Sequence, residues 1–134
     1  MDKKELAIQK HDLGYNCCQA VVCSFAEELG IPEEILYRIG EGFGLGMGNK
    51  NCTCGAVSGA IMLAGLKNSG GDLSKSGSTK AETYKLSAAI TEAFKAQNGS
   101  VICSELKGIE SGTPLRSCPD CICDAIEIAQ RILG

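Results

Sequence analysis

The chain has 134 residues, a formal net charge of -3 and a 44% apolar fraction. That length can bury a core without disulfide staples, and a charged fraction of 22% excludes a disordered chain. The acidic balance, with no tryptophan and no aromatics interleaved with Lys or Arg, argues against a nucleic-acid partner, which calls for a basic stripe.

Met1 to Lys10 mixes charges with Leu6 and Ile8. It lacks the apolar centre of a secretory signal and reads as a short first helix ending near Gly14. Cys18, Val22, Phe25 and Leu29 recur at helical spacing, so Asn16 to Leu29 reads as one amphipathic helix closed by Gly30. Pro32 suits the first turn of a third helix, with Glu33 and Glu34 favourable there. That helix carries Ile35, Leu36 and Ile39 and fails at Gly40. Glycine then alternates through Gly42, Gly44, Gly46 and Gly48. No phosphate-loop pattern fits this run, and it is expected to pack as a Gly-rich loop over the neighbouring cysteines.

A fourth helix is expected from Cys54 to Leu66, with Val57, Ile61 and Ala64 on one face. Asn68 to Ser78 is a turn region. Thr79 to Glu82 has the pattern of a capping box, opening a helix that buries Leu86, Ile90 and Phe94 and stops at Gly99. One helical turn fits within Ser100 to Gly108, and Ile109 to Ser117 reads as a loop. The last helix starts at Cys118-Pro119 and buries Ile122, Ala125, Ile126, Ala129 and Leu133. No stretch alternates as a strand does. The expectation is an all-α, single-domain bundle of five to six helices over residues 1–134. No window approaches the roughly 18 apolar residues of a membrane span, so a soluble, cytoplasmic protein with no membrane insertion is expected.

Nine cysteines are the anomaly. In a reducing compartment, clustered thiols more often cycle catalytically or bind metal than form structural bridges. Cys52 and Cys54 form C-x-C, with Thr53 as a candidate N-cap and Cys54 in the first turn, where exposed N–H groups favour a thiolate. Gly55 and Gly59, one turn apart, leave room for another backbone. Cys118-Pro-Asp-Cys121 repeats the pattern, with Pro119 at N1 making Cys118 the N-cap. Adjacent Cys17 and Cys18 diverge by about 100° on a helix, so one of them faces any given site. Cys23 reads as structural, Cys123 as solvent-facing and Cys103 as buried or a distant ligand. His11, the single histidine, reads as solvated.

Five stretches together resemble the C_GCAxxG_C_C family, described as redox-active. They are Tyr15-Asn-Cys17 with Gln19-Ala-Val21, Gly42-Phe-Gly44 with Gly46-Met-Gly48, Cys54-Gly-Ala-Val-Ser-Gly59, Cys103-Ser-Glu-Leu106, and Cys118-Pro with Asp124-Ala125. The resemblance implies a helical domain whose functional cysteines are Cys17, Cys54, Cys103 and Cys118. It leaves Cys18, Cys23, Cys52, Cys121 and Cys123 outside the pattern.

Three functions compete. The first is a redox-active protein that uses these cysteines for thiol–disulfide or electron-transfer chemistry with an unidentified redox partner. The second is a metal protein in which the same four thiolates hold an iron–sulfur cluster or Zn²⁺, both of which accept four Cys ligands. The third is a non-enzymatic helical interaction module. Gly-rich helix faces would permit a homodimer without requiring one.

Overall fold

The computed structural model describes residues 2–134. Among them no strand forms, and the only β-type pairing is an isolated antiparallel bridge between Thr53 and Ile102. The all-α expectation holds. The helices are α1 (Lys3–Asp12), α2 (Cys17–Cys23), α3 (Ala26–Leu29), α4 (Glu33–Glu41), α5 (Gly44–Met47), α6 (Gly55–Asn68), α7 (Lys80–Asn98), α8 (Cys103–Lys107) and α9 (Cys118–Leu133), with a 3₁₀ turn at Leu73–Lys75. That exceeds the five to six helices expected, for reasons that are local.

The expected helix from Asn16 to Leu29 is two. Asn16 and Gln19 form a reciprocal capping box: the Asn16 side chain accepts from the Gln19 N–H at 2.8 Å, and the Gln19 side chain accepts from the Asn16 N–H at 2.9 Å. Towards the end of α2 the Ser24 hydroxyl donates to the Val21 carbonyl at 2.7 Å. Such a side-chain bond competes with helix continuation, and Phe25 (φ −104°, ψ 4°) marks the break. Gly30, left-handed at φ 67°, closes α3 as expected.

Three expected caps are displaced. Pro32 lies at the N-cap of α4 rather than inside its first turn. Cys54, not Thr53, is the N-cap of α6, and Ser117, not Cys118, caps α9 by accepting the Asp120 N–H at 3.2 Å. The box at Thr79 does not form. Its hydroxyl instead accepts the Gly70 N–H at 3.2 Å, tying the turn region to the start of α7. In α4, Leu36 is buried but Ile35 and Ile39 are about half exposed, and the helix runs one residue past Gly40.

The core forms where α6 meets α2 on one side and α9 and α7 on the others. Val21 and Val22 of α2, Val57, Ala60, Leu63 and Ala64 of α6, Ile90 and Phe94 of α7, and Ile122, Ile126 and Ala129 of α9 are all buried. Each large apolar side chain so buried contributes about 1.5–3 kcal/mol.

α6 and α2 approach each other closely. A β-carbon at Gly59 would lie 2.9 Å from the Val21 β-carbon and 3.0 Å from the Cys18 carbonyl oxygen. One at Gly55 would lie 3.1 Å from the Cys18 nitrogen. Only a backbone without side chains lets the two helices meet there. Gly59→Ala should therefore destabilise the fold by about 1–3 kcal/mol through overpacking. Gly65→Ala, whose methyl meets nothing within 4 Å, should stabilise it by about 0.5–1 kcal/mol. Urea unfolding followed by circular dichroism separates the two; equal midpoints would contradict the close approach.

Candidate redox site

Four helix starts meet at one cavity. Cys17 is the first residue of α2, Cys54 the N-cap of α6, Cys103 the first residue of α8 and Cys118 the first residue of α9. All four line a cavity of about 170 Å³, together with Cys121, His11, Lys107 and Arg116. The chain passes between these starts by way of a constrained loop. Leu45, Met47 and Lys50 adopt left-handed φ values of 54°, 65° and 69°, each costing about 1–2 kcal/mol in a non-glycine residue. Backbone hydrogen bonds compensate: Lys50 N–H to Leu45 at 2.8 Å, Ser104 N–H to Lys50 at 2.7 Å, Cys103 N–H to Cys52 at 2.9 Å and Cys54 N–H to Val101 at 2.7 Å. Gly46 (φ 57°) covers Cys103 so closely that a β-carbon there would lie 2.5 Å from that of Cys103. The glycine run thus packs over a cysteine, as expected.

All nine cysteines are free thiols, and within the cavity four of them form two pairs. Cys17 lies beside Cys118, and Cys121 beside Cys54, so that the two sulfurs of each pair can share a proton. The pairs differ in depth. Cys17 and Cys118 are half-buried, whereas Cys54 is 6% and Cys121 2% exposed.

Electrostatics assign one thiolate to each pair. The hydrogen bond from Cys17 lowers the Cys118 pKa most; the Lys107 ammonium, by charge and hydrogen bond, and His11 lower it further, against the cost of burial. Cys17, as donor, is pushed up by that bond and by burial. In the inner pair the bond from Cys121 lowers the Cys54 pKa, while burial opposes it. Cys54 makes no close capping hydrogen bond, yet the N–H groups of Ala56 and Val57 face its sulfur and add to the thiolate's stability. Cys121 is pushed up by donating to Cys54 and by burial. Burial depresses the Lys107 pKa, but the sulfurs of Cys118 and Cys103 outweigh it and raise it.

Of the residues singled out from sequence, the cavity brings together Cys17, Cys54, Cys103 and Cys118. Cys103 stands apart from the pairs: it is buried, and burial is the main cause of its raised pKa. Cys121 replaces it as the fourth paired thiol. Its position three residues after Cys118 puts both on one face of α9, so the C-x-x-C spacing carried that signal. Lys107 was not singled out, although it follows Cys103 by one helical turn. His11 lines the cavity rather than standing free in solvent.

The other cysteines lie outside. Cys18 faces Met62 and is pushed up to about 12, chiefly by burial. Cys23 approaches the Glu33 carbonyl at 3.9 Å and is pushed up to about 11 by burial. Cys52 is exposed, and half-buried Cys123 borders Asp2, Lys4 and Glu5.

A family model described as "Putative redox-active protein (C_GCAxxG_C_C)" matches residues 15–132. The chain belongs to the C_GCAxxG_C_C family. No curated protein and no solved structure matches it. The C_GCAxxG_C_C match begins two residues before Cys17 and ends beyond Cys121, so it encloses every paired thiol. Among the described residues, no three His, Cys, Asp or Glu side chains are placed to hold a metal ion. Also among the described residues, no helix is long and apolar enough to cross a membrane.

The C_GCAxxG_C_C site makes a pH-dependent prediction. Only the thiolate alkylates, and an ordinary thiol has a pKa of about 8.5. Cys118 should therefore stay reactive toward iodoacetamide well below that pH, while Cys17 and Cys121 do not. Cys17→Ala and Lys107→Met each remove a stabiliser of the anion, so each should move the Cys118 rate–pH midpoint upward, with Lys107→Arg restoring it. Peptide-resolved alkylation rates read the midpoints; a Cys118 profile unmoved by either change would refute the assignment.

Proposed function

We propose that this protein performs thiol–disulfide redox chemistry at the Cys17–Cys118 pair. The observation that carries the reading is the meeting of these two half-buried thiols in one cavity that also holds the Lys107 ammonium. A thiolate at Cys118 is the nucleophile, since thiol–disulfide exchange proceeds through thiolate attack on a disulfide sulfur.

The substrate class is a disulfide. Cys118 Sγ attacks one substrate sulfur, the S–S bond breaks, and the departing sulfur leaves as a thiolate that takes a proton from solvent. Cys17 then loses its proton and attacks Cys118 Sγ, expelling the second substrate sulfur. Two cysteine thiols are oxidised to one disulfide, and the substrate disulfide is reduced to two thiols. Run backwards, the same steps deliver oxidising equivalents. The chain's own residues supply the positioning: the α2 and α9 starts fix the two sulfurs, and Lys107 with the cavity wall stabilises the anion between turnovers.

Disulfide mapping in graded redox buffers tests this. Reversible, joint loss of the Cys17 and Cys118 thiols is expected, and no redox-dependent pair at any poise would sink the reading. A second measurement addresses a metal centre directly. Protein purified anaerobically should carry less than about a tenth of an equivalent of iron or zinc by elemental analysis, since a bound structural metal is stoichiometric. Stoichiometric metal with visible absorbance, lost on substituting Cys54 by Ser, would replace the dithiol reading with a cluster.

A further inference from the structure

We propose that the site has two tiers, and that a disulfide made at Cys17–Cys118 is passed inward to become a Cys54–Cys121 disulfide. The inference rests on thiol–disulfide chemistry at the outer pair and extends it to the buried pair, which a bulky substrate does not reach. Two features of the fold carry it. The first is burial: the inner thiols are 6% and 2% exposed, while the outer two are half-buried in the same cavity. The second is that the backbone carrying the two tiers is close on both sides. Gly55 lets the start of α6 sit against the start of α2, with the Cys18 nitrogen only 3.1 Å from where a Gly55 β-carbon would be. Cys54 and Cys17 are the residues immediately before those two positions. On the other side, Cys118 and Cys121 lie one turn apart on α9, about 5–6 Å between β-carbons for such a pair. The inner sulfurs are thus placed to attack an outer disulfide.

The steps balance without any added oxidant or reductant. The starting state is a Cys17–Cys118 disulfide, a Cys54 thiolate and a Cys121 thiol. Cys54 Sγ attacks Cys17 Sγ, forming a Cys17–Cys54 bond and breaking the outer one. Cys118 leaves as a thiolate, the sulfur that faces Lys107 and is therefore the better leaving group. Cys121 then attacks Cys54 Sγ, and Cys17 leaves, taking the proton that Cys121 gives up. One disulfide is broken and one formed. The outer pair is again a thiolate and a thiol, ready for a second substrate disulfide. A fully reduced chain would then deliver two electron pairs rather than one, while presenting a single face to its substrates.

The test is a time course on the fully reduced, full-length protein. One equivalent of glutathione disulfide is added anaerobically, samples are acid-quenched and alkylated, and disulfides are mapped by mass spectrometry. The Cys17–Cys118 bond should appear first, and Cys54–Cys121 should rise as it falls. In Cys17→Ser, formation of Cys54–Cys121 should slow by roughly tenfold or more, because the attacked sulfur is gone. In Cys121→Ser, a Cys17–Cys54 bridge should accumulate. An outer disulfide that forms and persists without transfer overturns the two-tier proposal and leaves the outer-pair chemistry standing. An inner disulfide that forms at the wild-type rate in Cys17→Ser overturns the relay in the same way. If no Cys17–Cys118 bond ever forms, the outer-pair chemistry fails and the relay with it. The wild-type order of appearance decides even where a variant misfolds.

Discussion

The absence of side chains at Gly55 and Gly59 sets the separation of α6 from α2, and the cavity depends on that separation. With a β-carbon at either position the helices would have to part by several tenths of an ångström or more, since the obstacles are backbone atoms and a branched valine. Cys54 would move away from Cys17, and water would enter between the tiers. Bulky residues at these positions would have added buried area to the core. Small residues there let the start of α6, which carries Cys54, sit against the start of α2, which carries Cys17.

Charge accounts for the rest of the arrangement. Two thiolates a few ångströms apart repel strongly in a cavity of low dielectric. Holding one proton within each pair avoids that cost, with one sulfur accepting and the other donating. The N-terminal ends of the long helices α6 and α9 add partial positive charge near Cys54 and Cys118. Lys107 supplies a full charge, and among the described residues it forms no ion pair with a carboxylate. Arg116 also borders the cavity, but Asp124 holds it through bonds of 2.9 Å and 3.1 Å. That fork satisfies a buried carboxylate and anchors the chain where α9 begins. It leaves Lys107 as the ammonium that faces the sulfurs.

Much of the fold was legible in the sequence because helical periodicity and glycine stops are local signals. The stripes through Ile90 and Phe94 and through Ile122, Ala125 and Ala129 fall where their spacing puts them. What escaped was competition between local bonds. Nothing in the spacing of Cys18, Val22 and Phe25 shows that Ser24 will bond back to Val21 and end the helix. Thr79 had the sequence of a cap but was claimed by Gly70. At the site, the motif spacing picked out the helix starts but could not rank the sulfurs at each. Whether Cys103 or Cys121 meets Cys54 depends on how α8 and α9 are laid against α6, which is a tertiary matter. The same holds for Lys107 and His11, brought to the cavity from distant parts of the chain.

The outer thiols belong to helices near opposite ends of the chain. A bond between Cys17 and Cys118 would close a loop of about 100 residues, for which chain entropy alone gives about 4.7 kcal/mol against unfolding. Linkage runs both ways. Whatever the bond adds to the resistance of the fold, the fold returns as resistance of the bond to reduction. A substitution that loosens the packing of α2 against α9 would therefore register in two observables at once, the melting temperature and the reduction potential, even if it touched no sulfur.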